Sequence, residues 1–129
     1  MGFMKSLFGK SSNESGKKET VPWILLNDIT QLDAIKQKSL EKPQLIFKHS
    51  TTCGISRMVL NMFTSNYNFV DELDAHFLDL HSYRNISNEV AATFGVVHQS
   101  PQLLVIKNGE VAYHTSHGAI TDVDLNNFL

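Results

Sequence analysis

The chain has little sulfur chemistry to offer: one cysteine, Cys53, in 129 residues. A single thiol closes no internal disulfide, so packing alone must hold the fold, and a reducing, cytoplasmic setting is expected. Long apolar runs are missing too. None approaches the roughly 18 residues that span a bilayer, and the start lacks the apolar core of a secretory signal. Stable membrane insertion is therefore not expected. Charge of one sign is also scarce. The formal net charge is −2, with no basic cluster interleaved with aromatics, so nucleic acid is not an expected partner. What remains is a chain 42% apolar, ordinary for one globular domain with one core.

The first twenty residues differ from the rest. Four lysines face two glutamates there. Residues 9–20 hold no large apolar side chain and cannot offset their ordering entropy, so residues 1–20 read as a disordered leader and 21–129 as the domain. The start, Met1-Gly2 with Ser6, fits the loose M-G-x-x-x-S lipidation pattern.

Within the domain, apolar runs and helical spacings alternate. Trp23–Leu26 reads as a short strand behind Pro22. Asp28 or Thr30 caps a helix through Leu40, ended by Pro43. Gln44–Lys48 has the continuous apolar centre of a strand covered on both faces. A helix follows to about Asn66, then a strand over Ala75–Leu80. Asn85 or Ser87 opens a helix stopped by Gly95. Leu103–Ile106 and Val111–His114 flank Asn108-Gly109, the strongest hairpin signal in the chain. Thr121 or Asp122 caps a last helix, Val123 to Leu129. The order β-α-β-α-β-α-β-β-α predicts an α/β domain, a mixed sheet with helices on both faces and an antiparallel final pair.

Cys53 stands where the second strand gives way to a helix. The stretch His49-Ser50-Thr51-Thr52-Cys53-Gly54-Ile55-Ser56-Arg57 is polar on its approach, which an inert core cysteine would not need. The helix N-terminus brings partial positive charge to the sulfur. The free N–H groups of Ile55 and Ser56 and the Ser56 hydroxyl are expected donors to a thiolate. Arg57 and His49 are further sources of charge. His114-x-x-His117 and His49-x-x-x-Cys53 have ligand-like spacings, yet no set of three or four ligands is visible, so no metal site is expected. Asp71, Glu72 and Asp74 read as a solvated connection, and His76 and His81 as flanking the third strand.

The order of elements, with Cys53 after the second strand and Ser100-Pro101 opening the fourth, resembles the thioredoxin fold, a three-layer sandwich with a central mixed sheet. More narrowly, His49–Ser56 together with Ser100-Pro101-Gln102, Lys107–Glu110, His114 and Ser116-His117 resembles the YtxJ family of monothiol bacilliredoxins. That resemblance implies an oxidoreductase that removes bacillithiol, a small cysteine-bearing thiol, from mixed disulfides on client proteins. Cys53 is then the catalytic residue, and Gly54, Ile55 and Ser56 stabilise its thiolate. Thr52, Ser100, Pro101 and Gly118 are the implied substrate contacts, with Pro101 cis and Gly118 holding a small thiol's carboxylate at a helix N-terminus. The family's usual core is T-C-P-I-S. Gly54 replaces that proline and shifts the motif toward the C-G-F-S of monothiol glutaredoxins, which use glutathione. The expected partners are a low-molecular-weight thiol, bacillithiol or glutathione, as co-substrate, and S-thiolated client proteins. No bound cofactor is expected.

Ser56 sets the chemistry. In a Cys-x-x-Cys enzyme the second thiol attacks the mixed disulfide and releases the client. Serine cannot, so an outside thiol must clear Cys53. Two other classes remain beside this one-thiol relay. One is a carrier of a [2Fe–2S] cluster held by Cys53 and a small thiol from each of two chains. The other is a non-catalytic thioredoxin-like binding module.

Overall fold

A computed structural model describes residues 21–129. The leader and its lipidation-like start lie outside the described residues. The elements run β1 (Ile24–Leu25), α1 (Thr30–Lys38), β2 (Gln44–His49), α2 (Gly54–Asn66), β3 (Asp74–Asp79), α3 (Arg84–Phe94), β4 (Gln102–Lys107) and β5 (Glu110–Ser116). Two short 3-10 segments, His117–Asp122 and Leu125–Phe128, complete the chain.

The five strands form one sheet in the order β1-β3-β2-β4-β5. β3 runs parallel to β1 and β2, while β4 is antiparallel to β2 and to β5. This is the expected mixed sheet. β2 is its centre, and all six of its residues are buried. Alternation along β2 divides the core. Leu45 and Phe47 join Val59, Phe63, Tyr67 and Ile120 on the α2 side. Ile46 joins Leu32, Ile35, Ile86 and Val90 on the side of α1 and α3. Trp23 seals the first layer, stacked on Phe63 and edge-on to Phe47 and Phe77.

Local chemistry explains most boundaries. Asn108 and Gly109 both have positive φ, 57° and 84°, the backbone that a two-residue hairpin matching strand twist requires. Gly95 closes α3 in the left-handed conformation at φ 67°, a position that disfavours any Cβ. α3 begins one residue before the expected Asn85 and is not capped by a side chain. His76 lies inside β3, not beside it, and is buried.

The terminal helix is where expectation and structure part. Val123–Leu129 is not α-helical. Ile120 and Leu125 are the two buried anchors of this segment. Five residues apart, they do not make a helical stripe. The Asp124 carboxylate accepts from the Asn126 amide at 3.1 Å, so it caps a new short turn and does not continue an older one.

Candidate active site

β2 delivers the cysteine. Its last residue, His49, is followed by a tight loop in which the Cys53 amide donates to the Ser50 carbonyl at 3.3 Å. Cys53 is the N-cap of α2, with extended backbone at φ −107°, ψ 120° and a half-buried side chain. Its carbonyl accepts from the Arg57 amide at 3.1 Å, which starts the helix. The thiol itself makes no side-chain capping bond. Arg57 folds back over the loop, its Nη1 donating to the Thr51 carbonyl at 3.3 Å.

Gly54 and Ile55 are exposed, whereas Ser56 is buried. The Ser56 hydroxyl sits 2.9 Å from His49 Nδ1 and accepts from the Ser50 amide at 3.1 Å. It thus ties the end of β2 to the first turn of α2. No hydrogen bond joins it to the Cys53 sulfur among the described residues. Burial, with Arg57 and His81 adding and Asp79 opposing, lowers the His49 pKa. The imidazole that holds Ser56 is therefore neutral near pH 7.

The β3–α3 loop supplies a residue the sequence did not mark. His81 Nε2 lies 2.8 Å from Ser50 Oγ and 3.1 Å from Thr52 Oγ1. The His81 amide is held by the Asp79 carboxylate at 3.1 Å. β2 pairs with β3 through His49 and Asp79, so the residues that follow on each strand emerge side by side. That juxtaposition exists only once the sheet has formed.

β4 brings the proline. The Ser100–Pro101 peptide is cis. Lys48 pairs with Gln102, and the same antiparallel register carried outward sets Pro101 abreast of His49 and Ser100 abreast of Ser50. Ser100 Oγ is buried without a hydrogen-bond partner. Gly118 falls in the first 3-10 segment, where its carbonyl accepts from Thr121 Oγ1 at 2.8 Å. No α-helix follows it, so the helix N-terminus expected to hold a carboxylate there is missing. A Cβ on Gly118 would meet nothing within 4 Å. An open cleft of ≈ 230 Å³ lies between the far end of α2 and the 3-10 segments, lined by Met62, Phe63, Tyr67, Phe69, Ile120 and Leu125 among others. It lies toward the opposite end of α2 from Cys53.

The family described as Monothiol bacilliredoxin BrxC matches residues 24–125, a span that holds β1, Cys53, Ser56, Pro101 and every strand. This chain belongs to the monothiol bacilliredoxin family. As a bacilliredoxin it has a thiol redox function, and its neighbours among solved structures agree in fold. One, a thioredoxin-fold protein assigned as an oxidoreductase, is 30% identical, with a TM-score of 0.65 over 75% of this chain and 84% of that one. Thioredoxin from Schistosoma mansoni is 17% identical, with a TM-score of 0.64 over 83% and 95%. Thioredoxin from Malassezia sympodialis is 18% identical, with a TM-score of 0.62 over 81% and 92%. These last two show the fold alone. Among the described residues of this bacilliredoxin, no three His, Cys, Asp or Glu side chains come together as metal ligands. No helix among them is long and apolar enough to cross a membrane.

Proposed function

We propose that this protein removes bacillithiol from mixed disulfides on client proteins, with Cys53 as the only redox group. The observation that carries the reading is the pair at the start of α2. Cys53 caps the helix, and the position one turn on is a buried serine hydroxyl bonded to His49 and the Ser50 amide. The Cys53 thiolate attacks the bacillithiol sulfur of the capped client. A Cys53–S–S–bacillithiol bond forms, the client–bacillithiol S–S bond breaks, and the client sulfur leaves with the electron pair and takes a proton from water. One disulfide replaces another, with no net oxidation. Because Ser56 cannot attack, a second low-molecular-weight thiol must reduce the Cys53 adduct.

The positive end of α2 supports the thiolate by about 0.3–1 kcal/mol. The amides of Gly54, Ile55 and Ser56 are the proposed donors once the sulfur is charged. Thr52 and the backbone of Ser100, ahead of Pro101, are proposed to receive the incoming chain in the manner of an added strand.

The test is intact-mass analysis after mixing the protein with bacillithiol-capped and glutathione-capped client. The expected result is one bacillithiol adduct per chain, absent in Cys53→Ser, with the client thiol freed. Preferential loading from glutathione would reassign the co-substrate. No adduct from either would sink the relay.

A further inference from the structure

Lys48 is the least expected residue in the core. It is the penultimate residue of the central strand, and it is fully buried. Alternation turns it to the α3 side of the sheet. Among the described residues it has no carboxylate partner. Its Nζ has two neutral ones, the Ser87 carbonyl at 3.2 Å and His98 Nδ1 at 3.2 Å. An ammonium without an ion-pair partner is costly to bury, so its persistence at this place asks for a role.

Its hydrogen bonds fix a neighbour. An ammonium can only donate, so His98 Nδ1 must be bare and accept. Ser87 Oγ approaches the same nitrogen at 3.3 Å. The single proton of a neutral His98 therefore sits on Nε2. That N–H has no hydrogen-bond partner among the described residues, and the ring is only half-buried. Burial, then Lys48 and Arg84, oppose a second proton on the ring. Gln102, opposite Lys48 in the β2–β4 pair, donates to the Val97 carbonyl at 3.0 Å. The loop that carries His98 is thus pinned from both sides. Arg84, exposed at the start of α3, also has no carboxylate partner among the described residues. Arg84 stands one turn before Ser87 on α3, the residue whose hydroxyl meets His98 Nδ1, so its charge and that of Lys48 both bear on the ring. These groups lie where β2, β3 and the loop before Pro101 all end, the end of the sheet that bears Cys53.

We infer that His98 Nε2–H and Arg84, backed by the buried charge of Lys48, form a binding site for a carboxylate of the small thiol that caps the client. This rests on the relay proposed above and supplies the carboxylate contact that Gly118 has no helix to make. His98 and Arg84 touch the ligand. Lys48 acts through His98 as a positioning residue.

Two experiments test it. The first does not depend on Cys53. Cys53→Ser protein is titrated with succinate while the His98 ring nitrogens are followed by NMR, assigned through His98→Gln. The expected result is an Nε2–H tautomer that shifts saturably with succinate. Arg84→Gln weakens that binding about tenfold, as loss of one charged hydrogen bond predicts. A Nδ1–H tautomer, or no saturable shift, overturns the site. An equal response in Arg84→Gln does the same. The second compares one single-cysteine peptide capped with mercaptosuccinate or with 2-mercaptoethanol. Wild type should favour the mercaptosuccinate cap in kcat/KM, and Arg84→Gln should cut that ratio about tenfold, mainly through KM. An unchanged ratio overturns the proposal. So does a preference that follows acidic residues in the peptide whichever cap is used, because the carboxylate would then belong to the client. Failure of Cys53 to form any adduct would refute the relay and leave the succinate titration to decide the site.

Discussion

Replacing Lys48 with methionine should make the protein more stable and remove one limb of its pH dependence. Burial lowers the Lys48 pKa from 10.5 to about 8. Below pH 8 the amine is charged in both folded and unfolded chains, and the fold bears the full cost of burying it. As pH rises from 8 toward 10.5, the folded protein gives up this proton before the unfolded chain does. The unfolded state then holds more protons, and stability climbs. Worked through for these two values, the gain is about 2 kcal/mol between pH 8 and 10. The upper bound of that window matters. Burial, with Asp74 and Glu72 adding, pushes Tyr67 up to about 12, so above pH 10 the unfolded phenol ionises first and stability turns down. Lys48→Met keeps the length of the side chain and removes the charge. It should be about 3 kcal/mol more stable than wild type at pH 7, with no rise between pH 8 and 10. The assay is urea unfolding followed through Trp23, the single tryptophan, packed against Phe47, Phe63 and Phe77. A wild-type curve flat across that window, or a variant that keeps the rise, refutes the reasoning.

Three further outcomes are expected. Burial lowers the His76 pKa to about 4 against an ordinary 6.5. The stability from keeping this ring neutral is whole above pH 6.5 and is lost toward pH 4, by about 3 kcal/mol. His76→Gln should flatten that acid limb in urea titrations, and an unchanged slope would count against it. Gly54→Pro should raise stability by about 1 kcal/mol, because a first-turn proline forfeits no bond of the helix ladder, the extended Cys53 suits it, and a Cβ there meets only Arg57 Nη2 at 3.9 Å. A measured loss would show that the glycine backbone is required. Ser56→Ala leaves His49 Nδ1 and the Ser50 amide without their partner and should cost about 1–3 kcal/mol by denaturation. A neutral result would mean that water replaces the hydroxyl.

Local signals carried well from sequence to structure, and tertiary ones did not. The apolar runs of β2 and β4, the turn at Asn108-Gly109 and the stop at Gly95 are each dictated within a few residues, and each stands where it was expected. The last helix failed because its signal was weak: two anchors at non-helical spacing, with Asp124 capping a short turn of its own. The site divides the same way. The Ser56 hydroxyl, expected as a donor to the sulfur, instead bonds His49 and the Ser50 amide. The cis Ser100-Pro101 bond followed from the fold resemblance, and only Cys53, at a strand–helix junction, was legible locally. His81, His98 and Lys48 were not. His81 reaches Ser50 and Thr52 only because β2 and β3 end in register. His98 meets Lys48 only across a sheet that antiparallel pairing of β2 and β4 has already built. The apolar centre of Leu45-Ile46-Phe47 predicted a buried strand, and nothing in that pattern says that the lysine after it is buried too.

The end of β2 ties these findings together. Its middle residues, Leu45, Ile46 and Phe47, follow the rule for a central strand and are apolar where they meet the core. Its last two, Lys48 and His49, break that rule on opposite faces of the sheet. His49 holds the Ser56 hydroxyl on the α2 side, and Lys48 holds His98 on the α3 side. Each places a polar group in the most buried part of the fold, where apolar side chains would be more stable. Each also does so at the end of the strand that leads directly into Cys53. A sequence tuned for stability alone would remove both. With Lys48 backing the carboxylate site, Lys48→Met should be the more stable protein and the less selective one. Gain of stability with selectivity intact would separate the buried lysine from the chemistry at Cys53.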